Sequence, residues 1–130
     1  MHTISKQFAF SASHILEGLP ETHPCSRLHG HNYIIELSLT GLLDDVGFIV
    51  DYRDLAPFKD YIDAELDHRH LNQRLPGNPT AERMALWLAY WAAEHLDLPA
   101  NVWELGVAVS ETPKTWARYS ITRDGDGWSK

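Results

Sequence analysis

The sequence has a single cysteine. No disulfide can form within the chain, and the cytoplasm is the expected compartment. Positive charge is also scarce, with 11 Lys and Arg against 18 Asp and Glu and a formal net charge of −7. That balance argues against general nucleic-acid binding. No apolar run approaches the ~20 residues of a membrane span. The first residues, Met1 to Lys6, lack the apolar stretch of a secretory signal. There is no glycine-rich phosphate loop of Walker or dinucleotide type. At 130 residues, 44% apolar and 22% charged, the chain 1–130 reads as one domain large enough to bury its own core.

Histidine, in contrast, is plentiful, with eight in the chain. His2, His23, His70 and His95 read as ordinary surface or core residues. His29 and His31 stand two apart at the head of an alternating run, and on a strand such a pair shares one face. That run continues through Tyr33, Ile35, Leu37 and Leu39 and predicts a strand over 29–40. A second alternating run over 3–14, with Phe8, Phe10 and Ala12 on one face, ends in His14. Three histidines with an open fourth position describe a catalytic zinc site, and neutral imidazoles suit zinc better than harder metals.

Between these runs lies a loop, 15–27, containing Gly18, Pro20 and Pro24. Phe48 to Val50 is a further short strand candidate. Asp51 reads as the N-cap of a helix over 52–66, with Leu55, Phe58, Ile62 and Leu66 on its apolar face and Pro57 bending its first turns. Thr80 reads as the N-cap of a second helix over 81–96, whose core face is Met84, Trp87, Leu88 and Trp91. The spacing predicts strands over 102–111 and 115–122, joined as a hairpin through Thr112, Pro113 and Lys114. Trp103, Leu105, Val107, Val109 and Glu111 share a face of the first. The tail from Asp124 to Gly127 reads as frayed. The order strand, strand, helix, helix, strand, strand favours an α+β fold, an antiparallel sheet with two helices on one face. The other face then needs cover, which subunit association around a barrel would supply.

Three further residues or pairs bear on chemistry. Cys25, four residues before His29, is a fourth metal ligand, a reactive thiolate beside an open site, or a small buried hydrophobe. Asp67 and His68 form either a carboxylate–imidazole pair, which requires a turn at that point, or a charged helix end. Glu111 either turns to solvent or anchors a polar ligand in an apolar pocket.

Together the motifs resemble the 6-pyruvoyl-tetrahydropterin synthase family nearly end to end. They are Phe10-Ser-Ala-Ser-His14, Cys25-x-x-x-His29-Gly-His31-Asn-Tyr33, Gly47-Phe-Ile-Val-Asp51-Tyr, Leu66-Asp67-His68-x-x-Leu71-Asn72, Asn78-Pro79-Thr80-x-Glu82 and Val109-Ser-Glu111-Thr112. Within the family, the bacterial 6-carboxy-tetrahydropterin synthase branch of the queuosine pathway is the nearest in appearance. The resemblance implies a T-fold, a four-stranded antiparallel sheet with two helices whose subunits join into barrels with active sites between them. It implies zinc on His14, His29 and His31, and Cys25 as the proton-abstracting group. It implies Asp67 and His68 as the rest of the relay, Glu111 as the carboxylate that grips the pterin, and Thr80 near that pocket. The implied substrate is 7,8-dihydroneopterin triphosphate, and the carboxy branch releases triphosphate and acetaldehyde. The pyruvoyl branch shares every motif, whereas the folate-linked variants carry glutamate in place of the cysteine. A module with Cys25 as fourth ligand and no activity is the reading from a different class. An acidic chain that binds a polyanion needs a local basic patch, for which Arg27, Lys114 and Arg118 are the candidates.

Overall fold

A computed structural model of the chain describes residues 1–125 and 127–129. The elements run β1 (His2–His14), β2 (His29–Gly41), α1 (Ala56–Glu65), α2 (Ala81–His95), β3 (Val102–Ser110), β4 (Ala117–Asp124) and β5 (Gly127–Ser129). The strands form one antiparallel sheet in the order β1-β2-β3-β4-β5. The sheet therefore has five strands where four were expected. The extra one is the supposedly frayed tail: Asp124 pairs with Gly127 and Arg123 with Trp128 across a turn at Gly125, whose φ is +71°. Asp126, part of that stretch, lies outside the described residues. Arg123 also sits over the Trp128 ring, 4.7 Å from its centroid, a cation–π contact that holds the short strand down.

Period-2 alternation sorts the side chains onto two faces. Phe8, Phe10, Tyr33, Ile35, Leu37, Leu39, Leu105, Val107, Val109 and Ile121 are buried and pack with Phe58 and Ile62 of α1 and Met84 and Leu88 of α2. Phe8 meets Phe58 edge-on at 5.2 Å between ring centroids, and Tyr61 stacks on Trp91 at 4.4 Å, so the helices lock to the sheet and to each other. Truncating a fully buried side chain such as Ile62 to alanine costs about 2–5 kcal/mol. The opposite face is polar and carries Gln7, Glu36, Ser38 and Arg118, tied by Gln7–Glu36 and Arg118–Glu36 contacts of 3.2 and 3.1 Å.

Three local expectations change. The helix predicted over 52–66 is a 3₁₀ turn, Tyr52–Leu55, followed by α1. Proline has no N–H to donate, so Pro57 is tolerated only in the first turn of an α-helix and sets where α1 begins. Phe48 to Val50 is not a strand. Asp44 Oδ1 instead accepts from the backbone N–H groups of Val46, Gly47 and Phe48 at 2.9–3.0 Å, curling the segment into a loop. On β3 the expected core position Trp103 is exposed, and Val102 is buried in its place. The register shifts at Thr40/Gly41, where Thr40 faces Glu104 but Gly41 faces Val102, and Trp103 is the residue skipped. Gly41 is sterically required there, because a Cβ would lie 1.9 Å from the Asn101 carbonyl oxygen.

Candidate metal centre and adjoining cleft

The β1–β2 register places His14 directly opposite His29 and Ala12 opposite His31. Two strand ends thereby deliver three imidazoles to one point. Their ring centroids lie 4.5, 4.8 and 5.0 Å apart, and one ring nitrogen from each falls within 4.8 Å of the others. His14 is fully buried, while His29 and His31 are half-buried.

Hydrogen bonding decides what these nitrogens can do. His14 Nδ1 lies 3.0 Å from the Pro79 carbonyl oxygen, and His29 Nδ1 lies 2.7 Å from that of Arg27. A carbonyl only accepts, so in each neutral ring the proton sits on Nδ1 and Nε2 presents a bare lone pair. The two Nε2 atoms nevertheless face each other at 2.9 Å. His31 Nε2 is buried with no hydrogen-bond partner. The His14 and His29 lone pairs repel each other unless a metal ion or a proton lies between them. The donor set therefore fits a metal ion, with carbonyl oxygens orienting two of the ligands from behind. Burial is the main force holding His14 and His31 below the ordinary imidazole pKa. The Pro79 and Glu111 contacts pull the other way, and neighbouring imidazoles add to the lowering. Neutral rings are the form a metal requires.

Cys25 lies in a 3₁₀ turn, Pro24–Ser26, whose start is capped by His23 Nδ1 accepting from the Cys25 N–H at 3.0 Å. Its sulfur is not part of the three-histidine group found among the described residues. Glu111, just past β3, turns toward the histidines, with Oε2 3.8 Å from His31 Nε2. It borders a cleft of about 750 Å³ whose walls include Phe10, His31, Asn32, Tyr33 and Asp67. Its side chain is partly exposed, facing the cleft as well as solvent. Its charge, after burial, is the second cause that pushes the Tyr33 phenol well above its usual pKa.

Asp67 and His68 do form the pair, and they do so through a turn. His68 has φ +59°, a left-handed conformation uncommon outside glycine. Its Nδ1 lies 3.0 Å from Asp67 Oδ1, which also accepts the Ser11 N–H at 3.0 Å, while the His68 N–H donates to the Ser11 carbonyl at 2.7 Å. The Ser11 N–H is the leading cause holding the Asp67 carboxyl below its usual pKa. Thr80 caps α2 as expected, its hydroxyl accepting from the Arg83 N–H at 3.2 Å. Of the basic candidates, Arg118 is committed to Ser38 and Glu36 on the polar sheet face, and Arg27 and Lys114 are exposed. The Pro79 carbonyl, a backbone group, left no trace in the periodicity, whereas Tyr33, whose hydroxyl lies 3.2 Å from His14 Nδ1, was placed by it on the face of His29 and His31.

Known proteins align with this arrangement. The model of the family described as 6-pyruvoyl tetrahydropterin synthase matches residues 3–122. A putative 6-carboxy-5,6,7,8-tetrahydropterin synthase of Archaeoglobus fulgidus is 31% identical over 109 residues, covering 84% of this chain and 87% of that protein. A dihydroneopterin monophosphate aldolase of Pyrococcus furiosus is 33% identical over 81 residues, covering 62% of this chain and 66% of that one. The solved structure of Caenorhabditis elegans 6-pyruvoyl tetrahydropterin synthase superposes with a TM-score of 0.77 at 24% identity, covering 95% of this chain and 96% of that one. At that identity the structural likeness speaks for the T-fold. The family match, however, takes in both histidine-bearing strands, both helices and the β3–β4 hairpin, and the chain accordingly belongs to the 6-pyruvoyl tetrahydropterin synthase family.

Proposed function

We propose that this protein is a zinc-dependent lyase that converts 7,8-dihydroneopterin triphosphate and one water to 6-carboxy-5,6,7,8-tetrahydropterin, triphosphate and acetaldehyde. The observation that carries this reading is the convergence of three imidazoles, two of them presenting bare Nε2 lone pairs, beside a cleft that Glu111 borders. His14, His29 and His31 would hold the zinc. When bound there, the ion would supply Lewis-acid polarisation of the substrate's side-chain oxygens.

The chain's own residues account for the rest of the reaction. Glu111 accepts two parallel hydrogen bonds from the pterin's amino group and adjacent ring N–H, which fixes the ring's orientation. Cys25, as thiolate, takes a proton from the substrate side chain. Asp67 accepts from His68 Nδ1, so that His68 Nε2 is left to receive and return that proton. The His68 side chain is 83% exposed, and its reach out from the sheet's edge supports its acting on a neighbouring subunit's Cys25. Thr80, committed to capping α2, would contribute through the position of its backbone near the pocket.

Assembly into a barrel fits the same reading. Within the described residues, β1 is an edge strand bonded to β2 alone along most of its length, and β5 covers only the last residues of β4. Leu42, Leu43, Val46, Phe48 and Tyr52 expose apolar surface on one loop, the kind of patch that association covers. The carboxy product is favoured over the pyruvoyl one by the Archaeoglobus relative's name, and the retained Cys25 separates the chain from the glutamate-bearing variants. The non-catalytic module is disfavoured because Cys25 is not a member of the ligand group. Zinc-loaded protein incubated with 7,8-dihydroneopterin triphosphate should yield the carboxy product by mass, with acetaldehyde in equal amount. Pyruvoyl product without acetaldehyde would move the chain to the sister branch. Turnover of the monophosphate alone would align it with the aldolase.

A further inference from the structure

Two asparagines that the motifs single out, Asn72 and Asn78, have no part in the chemistry above. Each makes a two-pronged bond to the backbone of one residue in the segment that follows His14. Asn72 Oδ1 accepts the Ile15 N–H at 2.9 Å, and its Nδ2 donates to the Ile15 carbonyl at 2.8 Å. Asn78 does the same to Glu17, with both bonds at 2.8 Å. A side-chain amide presents one donor and one acceptor in the geometry of a peptide unit. These two therefore act as single-residue strands, extending the pairing of β1 past its end. Between them, the Leu16 N–H donates to the Cys25 carbonyl at 2.9 Å. Asn78 also precedes Pro79, whose carbonyl orients His14.

We infer that Asn72 and Asn78 are positioning residues that hold His14 and Cys25 in register with each other. The segment Ile15–Glu17 is the common element: His14 leads into it, Cys25 hangs from its middle, and Asn78 ties its end to the loop that holds the His14 ring. Without Asn78, the Pro79 carbonyl and the end of the segment move independently, and the His14 ring loses its fixed direction. The inference rests on the three histidines being a metal site.

Cobalt(II), which reports its coordination in the visible spectrum, is the probe. Wild-type protein, Asn78→Ala and Asn78→Asp are titrated with the ion and melted in parallel. Asn101→Ser serves as the control. Asn101 ties loops in a similar way, donating to the Leu42 and Ile49 carbonyls at 2.7 and 2.9 Å, but at the far end of β2. Loss of an outer-shell partner typically weakens metal binding about 10–100-fold. Asn78→Ala should show that loss and a changed spectrum. Asn78→Asp, which keeps the acceptor to the Glu17 N–H and loses the donor, should fall between it and wild type. Asn101→Ser should lower Tm and leave cobalt affinity alone. If Asn78→Ala does not fold, Asn78→Asp against the control decides by the same criterion. Wild-type affinity in a folded Asn78 variant, with only Tm reduced, overturns the positioning role and leaves the metal site standing. No cobalt binding by wild type overturns the metal site and the inference with it.

Discussion

The Nε2 atoms of His14 and His29 face each other at 2.9 Å while both Nδ1 atoms are committed to main-chain carbonyls. Two acceptors at that distance are mutually repulsive, so the fold places imidazoles where a metal ion or a proton between them relieves the repulsion.

His31 is the third imidazole of the group, and its buried Nε2 has no hydrogen-bond partner among the described residues. His31→Ala should lower zinc affinity by more than the roughly 10–100-fold typical of an outer-shell loss, with the fold intact. Dialysis followed by metal analysis measures this. Full zinc stoichiometry in the variant would sink the site.

Acid should act on the metal-free protein through the same rings. His14 and His31 have pKa values lowered from 6.5 in the folded chain, with burial the first cause. The unfolded chain therefore takes up protons first as pH falls. The stabilising contribution is complete above the unfolded value and disappears as pH drops through the folded values. The Tm of the metal-free protein should fall on acidification below about pH 6.5, and zinc affinity should fall with it. A Tm that rises on acidification over that interval contradicts the assignment.

Cys25 is separated from ligation by one sample measured twice. As a base, Cys25→Ala should keep its zinc and its Tm and lose turnover by ~10²-fold or more. Loss of zinc along with activity would instead make the thiolate a ligand.

Glu111 lies beside His31, at the border of the cleft. Glu111→Gln retains the shape but sets an NH₂ donor against a donor of the pterin. Loss of a hydrogen bond to a charged group costs roughly 1.5–3 kcal/mol, one to two decades of pterin affinity, with zinc content unchanged. Unaltered pterin binding would falsify the anchor.

His68 stands at φ +59°, where side chains with a Cβ are strained and glycine is not. His68→Gly should be more stable than His68→Ala by about 1 kcal/mol, and both should lose turnover. Equal stability of the two in urea unfolding argues against stored strain at this turn.

Much of this protein is local information. The i, i+2 spacing of His29 and His31 puts both rings on one face, because side-chain direction on a strand depends only on the parity of position. The alternation around Phe8 and Tyr33 and the spacing of Phe58 and Ile62 fixed the inner faces of strand and helix for the same reason. What lay beyond the sequence was everything that joins distant segments. The Thr40/Gly41 bulge displaced Trp103 from the face that its parity assigned, because a strand's register is set by its partner and not by its own pattern. The tail's pairing as β5 depended on an open β4 edge beside it. Pairing of His14 with His29 joined residues from two strands, and the Pro79 carbonyl that orients His14 comes from a loop 65 positions away. Backbone carbonyls are the same in every residue, so composition and spacing carry no mark of which one will meet an imidazole. The sequence by itself determined which residue types could bind a metal and which strand faces they occupy. Only the tertiary structure decided that three of them meet, which nitrogen His14 and His29 present, and that Cys25 lies outside their group, because those facts depend on register and on backbone partners.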